Sequence, residues 1–211
     1  MKYIKLFLMK LFLIYKAIRK LSEIICYLID KLRCRMIFWG NNITHTKFTT
    51  YGVPYVSVAI GGSCTFGNNL IMNNGINSNP IGCYERCTFF VDRGAKLIIG
   101  DNLGISQAAI ACHIKVTIGN NVTIGGGVCI YDTDFHSLDY RLRINPEMDN
   151  IHKIKIPVII HDNVFIGAHS IILKGVVIGE NSIIGAGSVV TKPIPANQIW
   201  AGNPAKFIRQ L

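Results

Sequence analysis

The segment VFIGAHSIILKGVVIGENSIIGAGSVV, residues 164–190, repeats with a period of six. Counting from Ile160, every sixth residue is apolar: Ile160, Ile166, Ile172, Ile178, Ile184 and Val190. Glycine follows the anchor at 167, 179 and 185, and a small or β-branched residue stands four after it at Ser170, Val176, Ser182 and Ser188. Six is neither a helical period nor a hairpin spacing. It marks a β-helix of hexapeptide repeats, in which each repeat supplies one short strand and one corner. The anchor points inward, and Gly or Asn at the corner tolerates left-handed backbone. Three repeats close a coil, and successive coils stack about 4.8 Å apart through parallel hydrogen bonds.

Outward from this stretch the register continues. Cys112, Ile118, Ile124 and Ile130 keep the period with Gly119 and Gly125 in step; Ile60, Phe66 and Met72 do so with Gly61 and Gly67. Ile99-Gly100 and Ile105-Ser106 form a further pair. The expected architecture is mainly β: a parallel β-helix over 41–190, a basic amphipathic helical segment over 1–40, and a tail over 191–211.

Half of the 211 residues are hydrophobic and 16% are charged, which excludes a disordered chain. The net charge of +10 is unevenly placed. The first 40 residues carry nine Lys/Arg against Glu23 and Asp30, a net of +7, and the other 171 carry a net of only +3. A nucleic-acid surface would interleave basic and aromatic residues across the folded body, and this chain does not. The seven cysteines (26, 34, 64, 83, 87, 112 and 129) are odd in number, and Cys112 occupies a slot that neighbouring repeats fill with isoleucine. Reduced thiols acting as small hydrophobes in a cytosolic protein are expected. Cys83 and Cys87 lack a second pair at zinc-ligand spacing, so no metal site is expected there.

In residues 1–40 charges interrupt every apolar run after five or six residues, far short of the roughly 20 needed to span a bilayer. No small-residue cleavage site follows a clean hydrophobic stretch, so a signal peptide is not expected. On a helix, Lys2, Lys5, Lys16, Arg19, Lys20 and Glu23 fall within one arc of roughly a third, with Leu, Ile, Phe and Met over the rest. Such a helix either lies in a membrane interface or packs on the body or on a partner subunit.

The repeat breaks at IYDTDFHSLDYRLR, residues 130–143. A β-helix wall cannot absorb about 22 extra residues (near 132–153), so they leave as an external loop, and long loops in compact domains are usually functional. This loop carries Asp132, Asp134, His136, Asp139, Arg141, Arg143 and Glu147. A histidine on such a loop is a candidate general base, because imidazole suits that role near neutral pH. A carboxylate on the other ring nitrogen would fix the tautomer, and Asp134 and Asp139 are nearest in sequence. His136 is therefore the expected general base.

The repeats, the histidine-bearing excursion and the ending VVTKPIPANQIWAGNPAKFIRQL (189–211) resemble the hexapeptide-repeat acyltransferases, in particular the galactoside/maltose O-acetyltransferases and the capsule or lipopolysaccharide O-acetyltransferases. The resemblance covers roughly 55–211 and is most specific over 184–209. It implies a left-handed β-helix, a homotrimer with active sites between subunits, and acetyl-CoA as donor. The position of His136 matches that family's catalytic histidine. The family's pantetheine contacts fall on Ala168 and Ala186, and its phosphate and adenine contacts on Thr191, Lys192, Lys206 and Arg209. The facing coil, where the family places an asparagine, reads GISQAA (104–109). Ser106 and Gln107, with Arg141 and Arg143 from the loop, are the acceptor contacts this leaves. The γ-class carbonic anhydrases share the fold, but no two histidines here stand five apart as their zinc site requires.

A short terminal helix is expected at NPAKFIRQL (203–211), with Asn203 as N-cap and Pro204 at its first position. The resulting expectation is an O-acetyltransferase acting on a surface-polysaccharide sugar, cytoplasmic, either free or peripheral on the inner membrane face. The alternatives are N-acetylation of a nucleotide-linked amino sugar, serine acetylation, and a non-catalytic scaffold.

Overall fold

The computed structural model describes residues 2–76 and 79–211, with side chains in the first helix from residue 9 onward. Helix α1 (Lys2–Gly40) leads into a three-sided, left-handed parallel β-helix. The first side is an eight-stranded sheet, from Phe48–Tyr51 through Leu70–Asn73, Gly104–Ser106, Thr123–Ile124, Phe165–Ile166, Ile183–Ile184 and Gln198–Ala201 to Lys206–Gln210. The second stacks Tyr55–Val58, Thr88–Val91, Ala109–Cys112, Cys129–Tyr131, Ile171–Ile172 and Val189–Val190. The third stacks Ser63–Phe66, Lys96–Ile99, Lys115–Ile118, Val158–Ile160 and Val177–Ile178. Each strand pairs in parallel with the strand one coil away, so the chain winds rather than folding back.

The hexapeptide anchors fill the axis. Ile118, Ile124, Ile130, Ile160, Ile166, Ile172, Ile178, Ile184 and Val190 are all at most 1% exposed. Ser170, Ser182 and Ser188 are fully buried and spend their hydroxyls on backbone carbonyls, which removes the penalty of burying them. Ile60 is an exception, at 90% exposure. Val58 registers with Val91, which registers with Cys112, so Val58 holds the anchor slot. The turn through Gly61 and Gly62 is two residues longer than the period allows, and Ile60 sits on it.

One corner is turned by asparagine in every coil from the second onward. Asn69, Asn102, Asn121, Asn163, Asn181 and Asn197 all have φ between 55° and 61°, the left-handed region that a short polar side chain tolerates. Each amide donates to the next, forming a ladder of hydrogen bonds 2.8–3.0 Å long down the edge of the prism.

The tail is not helical. Residues Lys206–Gln210 form an antiparallel strand on Gln198–Ala201, the one antiparallel pairing among the described strands. The physical reason is the open end of the β-helix: its unpaired sheet edge offers Lys206–Gln210 backbone partners, whereas an isolated helix of nine residues (203–211) is marginal. Trp200 and Phe207 pack ring to ring at 6.3 Å across this hairpin.

At the other end, the last turns of α1 plug the first coil. Cys34 and Phe38 are fully buried, and Phe38 lies 5.1 Å from Phe48 and 5.3 Å from Phe66 between ring centroids. The Asp30 carboxylate accepts the Gly52 N–H at 3.0 Å, and Asn41 Oδ1 accepts that of Val58 at 2.9 Å. No helix of the described residues is long and apolar enough to cross a membrane.

Candidate active site

The excursion leaves the second side of the prism after Tyr131 and is pinned at its root. Asp132, fully buried, accepts the backbone N–H groups of His113, Ile114 and Lys115 at 2.7–2.8 Å. Its carboxylate is spent on the preceding coil, which makes it structural. An antiparallel bridge between Thr133 and Lys155 closes the neck. Phe135 (φ 64°) follows and packs on Tyr131 and His113, turning the chain so that His136 is presented outward. Beyond the neck lie two short helices, α2 (Tyr140–Arg143) and α3 (Pro146–His152).

His136 Nδ1 lies 2.7 Å from Asp149 Oδ2, and the other oxygen of that carboxylate accepts the Ser137 N–H at 2.6 Å. A carboxylate can only accept, so Nδ1 carries the proton and the neutral ring turns the lone pair of Nε2 outward. Asp149 is held in place by α3, whose N-cap Asn145 accepts the N–H groups of Glu147 and Met148. The hydrogen bond from His136 holds the Asp149 carboxyl below the usual carboxylate range, with the Ser137 N–H acting in the same direction. The imidazole is 68% exposed and the carboxylate only 14%, so the orienting group is sheltered while the base is accessible.

The carboxylate on His136 is thus neither Asp134 nor Asp139. Asp134 pairs with Lys174 at 2.5 Å, and its second oxygen is buried without a partner. Asp139 caps α2 through the Arg141 N–H and takes the Arg141 guanidinium as a two-pronged pair at 2.7 and 3.0 Å. Arg143 donates to the Ser137 carbonyl at 2.9 Å. Both arginines therefore brace the loop around His136. The signal for Asp149 was present in Asn145-Pro146, a helix start that places an acidic residue in the first turns facing back toward the loop.

On the facing coil Ser106 and Gln107 part company. Gln107 is 1% exposed, adopts φ 46° at a corner, and spends its Nε2 on the Cys83 carbonyl at 2.6 Å. It is committed to holding the chain at Cys83, between the strands Leu70–Asn73 and Thr88–Val91, where the hexapeptide period lapses. Ser106 is half-buried and accepts from Asn73 Nδ2 at 3.0 Å, so the preceding coil sets an asparagine amide beside it.

Along the corner between the first and second sides, Gly126, Ala168 and Ala186 stand at equivalent positions on successive coils, each preceded by a glycine (Gly125, Gly167 and Gly185). A Cβ on Gly125 would meet the Ala168 nitrogen at 2.6 Å, and one on Gly167 would meet the Ala186 nitrogen at 2.5 Å. These residues leave a narrow, small-sided path of the kind a flexible thioester arm can follow. His169 (φ 59°) stands on the same corner with its Nε2 3.7 Å from the Cys83 thiol. Thr191 and Lys192 are exposed just beyond the last strand of the second side. Lys206 and Arg209 are exposed on the terminal strand, where they lie opposite Ala201 and Ile199 with a bulge at Ile208 between them, so both stand on one face. All seven cysteines are free, and burial pushes Cys34 and Cys87 up to about 11. Among the described residues no group of three His, Cys, Asp or Glu is placed to hold a metal ion.

Residues 157–192 match the family pattern described as bacterial transferase hexapeptide (six repeats). Among curated proteins the chain is 54% identical over 96 residues to Protein CapG of Staphylococcus aureus, covering 46% of this chain and 53% of that one. It is 42% identical over 119 residues to galactoside O-acetyltransferase of Escherichia coli K12, covering 56% of each. It is also 42% identical over 94 residues to a 2,3,4,5-tetrahydropyridine-2,6-dicarboxylate N-acetyltransferase of Staphylococcus carnosus, covering 44% of this chain and 33% of that one. The chain spans about half the length of the first two. A solved galactoside acetyltransferase in complex with coenzyme A superposes with a TM-score of 0.52 at 26% identity, covering 87% of this chain and 82% of that one. By repeat, by architecture and by these relatives, the chain is a hexapeptide-repeat protein similar to the hexapeptide-repeat acetyltransferases.

Proposed function

We propose that the protein is an acetyl-CoA-dependent O-acetyltransferase acting on a hydroxyl of a surface-polysaccharide sugar, with His136 as general base. The observation that carries the reading is the Asp149–His136 pair, 2.7 Å apart on a loop that the repeat has no structural need for. Nε2 removes the proton of the acceptor hydroxyl as its oxygen attacks the thioester carbonyl of acetyl-CoA. The imidazolium so formed is stabilised by the Asp149 carboxylate, and the tetrahedral intermediate then collapses. The C–S bond breaks, the acetyl group stays on the acceptor oxygen, and the thiolate of coenzyme A takes the proton back from Nε2. A positioned base of this kind contributes about 10²–10⁴-fold.

The pantetheine arm runs along the Ala168–Ala186 path, with Thr191, Lys192, Lys206 and Arg209 toward the phosphate-bearing end. Ser106, braced by Asn73, faces the acceptor. His136 stands on an open surface of the single chain, so a second chain completes the groove, in a homotrimer. The sugar hydroxyl is favoured by the galactoside O-acetyltransferase relative. The relative that acts as an N-acetyltransferase supports an amine acceptor as the second reading, at the same donor site.

The test is transfer of labelled acetyl from acetyl-CoA to a panel of mono- and oligosaccharides and amino sugars, read by product mass. A product made by the wild type and lost in His136→Ala supports the reading, and release of the label by mild alkali identifies an ester rather than an amide. Equal turnover by both proteins would sink the role of His136. Absence of coenzyme A binding would sink the enzymatic reading altogether.

A further inference from the structure

We propose that the outer face of α1 docks the protein on an anionic membrane surface. The helix has two faces with opposite fates. Asp30, Cys34 and Phe38, four apart, form the inner row that seals the first coil. Ahead of them on that side, Tyr15, Arg19, Glu23 and Cys26 line a groove of about 960 Å³ toward Tyr51 and Tyr84. About half a turn away, Leu11, Ile14, Ile18, Leu21, Ile25 and Leu28 alternate at spacings of three and four along one continuous stripe. All six are between 47% and 64% exposed. Trp39, at 86% exposure, stands at the end of the same stripe.

A stripe spaced in this way could also pair with a second copy of itself, and two features weigh against that occupant. The apolar surface spreads beyond a two-per-heptad seam, since Phe12 and Leu13 are 56% and 62% exposed. In addition, residues 9–40 carry Lys10, Lys16, Arg19, Lys20, Lys31, Arg33 and Arg35 against only Glu23 and Asp30. Glu23 is paired with Arg19 at 2.9 Å, and Asp30 is spent on the Gly52 N–H. Self-association would bring like charges together, whereas an anionic lipid surface complements them. The helix would lie in the interface with its apolar arc among the acyl chains and the β-helix on the aqueous side, and the exposed Trp39 would sit at headgroup depth.

The full-length protein is floated with phosphatidylcholine vesicles and with vesicles in which about 30% of the lipid is phosphatidylglycerol. We expect flotation with the anionic vesicles only, together with a blue shift of Trp39 fluorescence. The bound fraction should fall about tenfold or more at high salt or in Lys10→Ser/Lys16→Ser/Lys20→Ser, and binding should be lost in Ile18→Glu/Leu21→Glu. Unchanged thermal melting of that last variant keeps the test one of docking and not of folding, and is expected because both residues are more than half exposed. No flotation of the wild type, or flotation that both variants retain, overturns the proposal. A lipid-free assembly that Ile18→Glu/Leu21→Glu dissolves, with vesicles left unbound, overturns it in favour of a second copy.

Discussion

Asn121 Nδ2 donates to Asn163 Oδ1 at 3.0 Å across 42 residues of sequence, and Asn163 makes the same rung with Asn181 at 2.9 Å across 18. The excess of 24 residues in the first step is the histidine-bearing excursion, and the ladder passes it undisturbed. Replacing residues 134–154 by a short Gly-Ser linker should therefore leave the β-helix intact. We expect the circular dichroism spectrum to keep its β character and the melting temperature to move by only a few degrees, while acetyl transfer disappears. A collapse of the fold on this deletion would show that the loop is part of the core after all.

The ladder itself can be separated into its two contributions at Asn163, whose φ is 60°. Asn163→Gly removes the side-chain rungs but keeps a residue at ease in left-handed backbone, and should cost about 1 kcal/mol. Asn163→Ala removes the same rungs and adds the steric penalty of a Cβ in that region, so it should cost about 1–2 kcal/mol more. Equal destabilisation of the two variants in urea titrations would show that the corner is not set by backbone conformation.

The Asp149 carboxyl titrates below the usual range, and the hydrogen bond from His136 is the largest cause. In His136→Ala that partner is gone, leaving mainly the Ser137 N–H, so the midpoint should rise toward the ordinary carboxylate value. Carbon-detected NMR titration of the Asp149 carboxyl reads this directly. An unchanged midpoint would mean that the pair is not formed in solution. Asp149→Asn, which keeps the shape but removes the charge, should reduce turnover by about 10–10³-fold, less than His136→Ala, because it misplaces the base without deleting it.

How much of this was legible beforehand follows from which residues obey a period. Ile118, Ile166 and Ile184 lie where the six-residue spacing puts them, because a buried anchor is required in every coil. His136 was legible because it interrupts that spacing. Asp149 does not follow from the period: its local signal is the helix start at Asn145, and a contact across 13 residues depends on that helix and not on the repeat. In the tail, local signals at Asn203 and Pro204 favour a helix, while the open sheet edge, a property of the assembled coils, favours a strand and prevails. Ile60 obeys the period and still lies outside, because the turn through Gly61 and Gly62 breaks the spacing. The difference is measurable. Ile60→Ser should change stability by less than about 0.5 kcal/mol, whereas Ile118→Ala should cost about 2–5 kcal/mol.

The close approach of successive coils gives the last prediction. At Gly167 an added Cβ would stand 2.5 Å from the Ala186 nitrogen and 2.8 Å from the Ile184 carbonyl oxygen. Both are backbone atoms held in the parallel ladder, so neither can swing aside as a side chain would. At Gly187, two residues from Gly185 on the next coil, φ is 70° and nothing lies within 4 Å of the added carbon. Gly187→Ala should therefore carry only the left-handed strain of about 1–2 kcal/mol, with coenzyme A binding retained. Gly167→Ala must push two coils apart beside Ala168 and Ala186, which should cost about 2–4 kcal/mol and weaken coenzyme A binding if the pantetheine path lies there. Calorimetric binding of coenzyme A to the two variants, each shown to be folded at the temperature used, decides the matter. Loss in Gly167→Ala with retention in Gly187→Ala places the donor along this corner, and equal affinity in both places it elsewhere.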